Sequence, residues 1–409
     1  MPNAERIMQR CDRLARESES ASGLTRVFLS PQHRAASELV LGWMREAGMR
    51  AERDAIGNTV GRYEGAHAGS SCLMLGSHLD TVRDAGRYDG MLGVVTAIEC
   101  VGALAQRGER LPFAIEVVGF GDEEGVRFGT TMLGSRAIAG GVDPAALAAR
   151  DANDVSIEQA LRHFGLDPAR CSLLRRRKGD VLAYVELHIE QGPVLEAESL
   201  PVGVVSAING FSRLRARIRG IAGHAGTVPM QLRRDALAAA AECVLAVERI
   251  ARSDPELVGT VGRIEAKPGA INVIPGEVEF TIDIRAPRDE LRQLAVSSAK
   301  AELASIAARR SLACEVELIQ ELGVTHCAPS LMVQLERAVA AEGVRVRKLP
   351  SGAGHDGQAM SALTDIAMLF VRCKGGISHN PAESITAADA AVGARTLLRF
   401  IEHFEPALR

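Results

Sequence analysis

The sequence predicts an α/β protein: a mostly parallel sheet sandwiched by helices, interrupted by an inserted α+β segment. Three observations predict it. Apolar runs of strand length alternate with helix-length stretches over residues 1–209 and again over 328–409, the pattern of a sheet covered on both faces. Residues 210–327 switch to strands with a two-residue period plus two helices, the pattern of an antiparallel sheet with one face covered. A chain of 409 residues is also too long for one ordinary core. Residues 1–209 and 328–409 therefore read as one catalytic domain, and 210–327 as a second domain inserted into it.

In chain order, residues 30–48 read as a helix. Ser30 can cap it, Pro31 suits its first turn and Gly48 its exit, while Ala36, Leu39, Val40, Trp43, Met44 and Ala47 recur at spacings of three and four. Leu73–Leu75 is a strand, Val94–Leu104 a helix, and Ala114–Phe120, Val181–Leu187 and Val202–Ile208 further strands. In the inserted segment Leu214, Ala216 and Ile218 alternate with Arg213, Arg215, Arg217 and Arg219, and Val278, Phe280, Ile282 and Ile284 with Glu279, Thr281, Asp283 and Arg285. Both are half-buried strands. Helices are expected at Arg234–Ala251 and Glu290–Arg309, and strands at Val258–Ile264 and Cys314–Ile319. A helix at Leu331–Ala341, strands at Val344–Leu349 and Ile366–Val371, and a helix from Ala387 to Phe404 complete the set.

Composition narrows the function classes. With 47% hydrophobic and 24% charged residues and a net charge of −3, the chain reads as globular, with no basic surface for nucleic acid or an anionic membrane. The eight cysteines are scattered without a CxxC pair, which excludes a zinc ribbon or disulfide framework and fits a cytoplasmic protein. The charged N-terminus shows no signal peptide, and no apolar run is long enough to span a membrane.

Five stretches carry the chemistry, each at a strand end or in a loop: GSHLDTVRDAGRYDGMLG from Gly76, GDEEG from Gly121, HIEQG from His188, GAGHDG from Gly352 and GGISHNP from Gly375. Strand ends are where α/β proteins place ligands. Singly each is weak; GAGHDG matches a dinucleotide fingerprint, but His355 and Asp356 fill the turn where a pyrophosphate needs small groups. Together they offer His78, Asp89, Glu124, His188 and His379. With Asp89 bridging, this set supplies three ligands to each of two divalent metal ions, which would polarise a carbonyl and activate a water. Asp80 suits a carboxylate that orients a ligating imidazole, and Glu123, beside Glu124, a general base.

HLDTV, the following DG, DEEG and the late SHNPAE resemble the M20 metallopeptidase superfamily. ELHIEQG and GHAGTVPM resemble its N-carbamoyl-L-amino-acid hydrolase and allantoate amidohydrolase branch. The resemblance covers essentially the whole chain and implies the same five metal ligands and Glu123 as base. It further implies that 210–327 is a lid and dimerisation domain, that His224 steadies the oxyanion, typically from the partner subunit, and that Asn272 and Arg285 hold a substrate carboxylate. Gln191, Gly354 and His355 match substrate-contacting positions, as does Arg213. A cis Asp89–Gly90 peptide is a further implication. The expected activity is cleavage of a ureido acid to ammonia and carbon dioxide by a homodimer holding two zinc or manganese ions, with cobalt and nickel also suited to the set. The alternatives are an aminoacylase or dipeptidase of the same fold, and a non-catalytic binding protein.

Overall fold

The computed structural model describes residues 1–406 and divides into two compact units: Met1–Ser206 with His326–Leu349 and the chain from Ala353 onward, and Ala207–Thr325 with Pro350–Gly352. The first strands are β1 (Arg50–Arg53), β2 (Thr59–Tyr63), β3 (Cys72–His78), β4 (Ala114–Phe120), β5 (Val181–Ile189) and β6 (Val202–Ile208). There follow β7 (Gly210–Arg219), β8 (Gly223–His224), β9 (Val258–Thr260), β10 (Ile264–Lys267), β11 (Val273–Ile274), β12 (Glu277–Ala286) and β13 (Ala313–Leu322). The chain returns through β14 (Thr325–His326), β15 (Lys348–Ser351) and β16 (Ile366–Val371).

The large sheet runs β1-β2-β4-β3-β5-β16-β6-β14, with β15 on β6. It is mixed rather than mostly parallel. β4, β3, β5 and β16 are parallel neighbours, whereas β1–β2, β2–β4 and β16–β6 are antiparallel. Connection length accounts for β1–β2, because only antiparallel neighbours can be joined by a short turn. β1 and β2 are joined by a loop in which Asp54 accepts from the amides of Ile56, Gly57 and Asn58. β3 and β4 are joined by the helix Met91–Gln106.

β3 and β4 are buried along their whole length, as strands covered on both faces must be. The helix Met91–Gln106 lies so close to the sheet that a Cβ on Gly93 would stand 2.2 Å from the Leu187 carbonyl oxygen. The helix Pro31–Glu46 starts as its residues require, with Ser30 Oγ accepting from the His33 amide at 3.1 Å. The N-terminal helix Ala4–Ala15 was not anticipated. Its Arg6 and Arg10 close on Glu99, a buried carboxylate in the middle of Met91–Gln106, at 2.7 Å each. All eight cysteines are free, and all but Cys314 are buried.

In the second unit, β10-β12-β7-β13 and β9 on β12 form an antiparallel sheet. The apolar face of β7 and β12 packs against Ala239, Cys243, Val247, Ala295, Leu303 and Ile306 of the helices Ala236–Ala251 and Asp289–Arg309. On the other face Arg215, Arg217 and Arg219 pair with Glu317, Glu279, Glu277 and Glu315 across the strands. Such exposed pairs fix register more than they add stability.

Two strands differ from expectation. Val258–Ile264 divides into β9 and β10, and the strand expected at Val344–Leu349 forms at Lys348–Ser351 instead. Arg345 and Arg347 are drawn to Glu198 at 2.7 and 2.9 Å ahead of it.

Candidate functional site

The site of the first unit is built at the ends of its parallel strands. β3 ends on His78, and the loop after it carries Asp80 and Asp89 before the helix at Met91. β4 hands over to Asp122, Glu123 and Glu124. β5 ends on His188 and Ile189, followed by Gln191, and the loop after β16 carries Ser378 and His379.

These side chains converge on Asp89, which is 2% exposed. Its Oδ1 lies 3.4 Å from His78 Nε2 and 3.1 Å from His188 Nε2, and its Oδ2 lies 3.2 Å from His379 Nε2. Glu124 Oε1 is 3.6 Å from the same His379 nitrogen. One donor atom each from His78, Asp89 and His188 lie within 4.8 Å of one another, and so do donors from Asp89, Glu124 and His379. The five donors thus form two triads sharing one carboxylate, with one carboxylate oxygen turned toward each.

The imidazoles are oriented from behind. His78 Nδ1 is 2.9 Å from the Asp80 carbonyl oxygen and His188 Nδ1 is 2.9 Å from that of Ile189. A carbonyl can only accept, so both Nδ1 atoms carry a hydrogen, and both Nε2 atoms face Asp89. Here the structure corrects the expectation for Asp80. Its main-chain oxygen, not its carboxylate, orients His78. The carboxylate instead accepts from the Glu123 and Glu124 amides at 3.1 and 3.2 Å, holding the turn that presents both glutamates.

The Asp89–Gly90 peptide is trans rather than cis, and the lone cis bond among the described residues is Lys267–Pro268. Gly90 turns the chain by its own φ of +73°. Asp122, Gln191 and His379 also adopt positive φ, a concentration of backbone strain of the kind that functional loops carry.

The electrostatics ask for cations. Burial pushes the Asp89 carboxyl up, but hydrogen bonds from His188, His379 and His78 overcome it and hold the group well below the usual range. Burial raises Glu124 to about 7, helped by the neighbouring Asp89. Glu123 is pushed well above the ordinary glutamate value by burial, opposed by His78 and reinforced by Glu124, Asp356 and Asp80. Carboxylates buried this densely need compensating positive charge. Three imidazole nitrogens and two carboxylates are a donor set for divalent transition metals, so the residues fit a two-metal centre.

Ser378 and Glu383 open and close the SHNPAE stretch, where the sequence marks no role for either. Glu383 Oε1 accepts from the Tyr88 and Asp89 amides at 2.8 and 3.2 Å, and Ser378 Oγ bridges Asp89 Oδ2 and Glu383 Oε2 at 2.8 and 3.1 Å. The pair brackets the shared carboxylate. Gln191 Nε2 donates to the same Asp89 oxygen at 2.7 Å. His355, also buried, stacks edge-on against His188 with ring centroids 4.5 Å apart, and Gly354 precedes it.

His224, Asn272, Arg285 and Arg213 belong to the second unit. His224 and Asn272 share the β8–β11 ribbon: Val273 pairs with His224, and the Asn272 carbonyl accepts from the Ala225 amide. The exposed His224 accepts from the Gly226 amide on Nδ1 at 3.1 Å, which leaves the hydrogen on Nε2. Arg285 is gripped by Asp283 at 2.8 and 3.0 Å and donates to the Gly352 carbonyl at 2.8 Å. Three of its five N–H donors are engaged among the described residues. Arg213 binds the same Asp283 and Gln320.

Residues 74–403 match the description "Peptidase family M20/M25/M40". The chain is 43% identical over 398 residues to the N-carbamoyl-L-amino acid amidohydrolase of Geobacillus stearothermophilus, covering 97% of each chain. It is 41% identical over 421 residues to allantoate deiminase 2 of Glycine max, covering 95% of this chain and 87% of that one. A solved hydantoinase/carbamoylase-family amidase from Burkholderia multivorans superposes with a TM-score of 0.92 at 32% identity over 99% of both chains. On the match over residues 74–403 and the identity along nearly its whole length, the chain belongs to peptidase family M20/M25/M40.

Proposed function

We propose that this protein is a two-metal amidohydrolase that cleaves the C–N bond of a ureido acid, an N-carbamoyl-L-amino acid or allantoate, with release of ammonia and carbon dioxide. The observation that carries the reading is the pair of donor triads sharing Asp89. The substrate class is supported by the relatives named above.

His78, Asp89 and His188 would hold one cation, and Asp89, Glu124 and His379 the other. Two divalent ions, zinc or manganese with cobalt and nickel also suited, would supply Lewis acidity to the ureido carbonyl and to the attacking water. Glu123, beside Glu124 in the same turn, would take a proton from the attacking water and return it to the departing nitrogen. His224, with its hydrogen on Nε2, donates to the oxygen that gains negative charge. Arg285, its fork steadied by Asp283, and Asn272 hold the substrate carboxylate, with Arg213, Gln191, Gly354 and His355 around the remainder. The second unit serves as lid and as the surface through which two chains pair.

Replacing Glu123 by Gln tests the reading. The variant is expected to keep its full complement of metal while kcat for ammonia release from a ureido acid panel falls about 10²–10⁴-fold. Undiminished turnover would exclude Glu123 as the base. Turnover confined to dipeptides or N-acetyl amino acids would replace the ureido reading with a peptidase or aminoacylase.

A further inference from the structure

Arg26 is a fully buried charge outside the donor set. No carboxylate among the described residues forms an ion pair with it; its donors go to main chain and sulfur. Nε donates to the Leu79 carbonyl at 2.8 Å, Nη1 to the carbonyls of Leu14 and Glu17 at 2.7 and 3.1 Å, and Nη2 to Met91 Sδ. Its main chain is tied as well: the Arg26 amide donates to Thr81 Oγ1 at 2.9 Å, and the Thr81 amide donates to the Arg26 carbonyl at 3.0 Å.

Two of these acceptors flank metal-ligand candidates. Leu79 lies between His78 and Asp80, whose carbonyl orients the His78 ring. Met91 follows Asp89–Gly90 and opens the helix Met91–Gln106. The other two close the C-terminal end of the helix Ala4–Ala15. One rigid guanidinium thus spans both ligand-bearing ends of a single loop and anchors them to a helix end. Burying an arginine is costly unless its donors are met in fixed directions. An apolar side chain could fill the space, but only the fork crosslinks these carbonyls.

We propose that Arg26 is a positioning residue that holds the His78–Asp80 and Asp89–Met91 segments in metal-ready geometry before any cation arrives. This rests on His78 and Asp89 being metal ligands, so the test must separate the two ideas. Chelator-treated wild type, Arg26→Lys and Arg26→Ala are each titrated with Zn²⁺ alone by calorimetry, and their metal-free thermal midpoints are compared. Lysine keeps the charge but reaches fewer carbonyls. Arg26→Lys is expected to bind Zn²⁺ about 10–100-fold more weakly than wild type, as loss of an outer support typically does, and Arg26→Ala more weakly still. Hydrogen exchange on metal-free wild type needs no variant, and the amides of 78–82 and 89–92 should be protected before Zn²⁺ is added. Wild-type affinity in a folded Arg26→Lys overturns the proposal. So does a loop whose amides exchange freely until metal binds, even if neither variant folds. Wild type that binds no Zn²⁺ overturns the two-metal reading along with it.

Discussion

His33 shows what a buried imidazole does where no cation is called for. It is fully buried between Phe28 and Phe164, with ring centroids at 5.5 and 5.8 Å, and neither ring nitrogen has a hydrogen-bond partner. Burial pulls its pKa down to about 3, helped by Arg26 and Arg53. The folded value lies below the unfolded one of 6.5, so between them the unfolded chain binds the proton more readily. The contribution is present above pH 6.5 and is lost as pH falls toward 3. At pH 5 this amounts to ~2 kcal/mol. His33→Phe is expected to lose less stability than wild type between pH 7.5 and pH 5, as read from denaturant midpoints. Parallel losses in the two proteins would refute the assignment. The donors of the candidate site were readable because each is a chemically distinctive residue at a strand end, and the structure brings those donors within reach of one another. Arg26 and Glu383 were not readable as supports. They act through amides and carbonyls 53 and 294 residues away, and nothing in a local pattern marks such a contact.

Among the elements, the turn before Met91–Gln106 tolerates least. Gly90 has a φ of +73°, and a Cβ there would stand 2.6 Å from three atoms of the His78 ring. Gly90→Ala therefore strains the backbone by ~1–3 kcal/mol and drives the ring off Asp89. The expected result is a lower thermal midpoint and a metal stoichiometry below wild type by equilibrium dialysis. Wild-type metal content in this variant would mean that the His78 position is not critical. Long periodic elements such as Pro31–Glu46 and β12 were legible because a buried face recurs at a fixed spacing. The β1–β2 hairpin was not: Arg50–Arg53 has no fully buried residue, and Thr59–Tyr63 is short and interrupted by Gly61 and Arg62. That hairpin accounts for part of the sheet's mixed character, and with it the error in expecting a mostly parallel sheet.

For the whole molecule, the candidate ligands run from position 78 to position 379, so bound cations would crosslink stretches far apart in the chain. A ligand that binds the folded state alone stabilises it by about 4 kcal/mol at a thousand times its Kd. Chelation is expected to lower the unfolding midpoint substantially and restored Zn²⁺ or Mn²⁺ to recover it; a midpoint indifferent to chelator would count against a structural share for the metals. The alternation of strand and helix was legible at this scale because burial on two faces leaves continuous apolar runs, whereas strand order and direction depend on contacts between distant stretches that no run encodes. The buried cysteines carry a last consequence. Burial raises the pKa of all eight thiols, Cys314 among them. The thiolate is the form that oxidants and alkylating reagents attack, so seven of the eight are shielded twice, by access and by protonation. Cys314, half-buried on β13 against the core of the second unit, is the most accessible of the eight and should be the first to react with a thiol reagent.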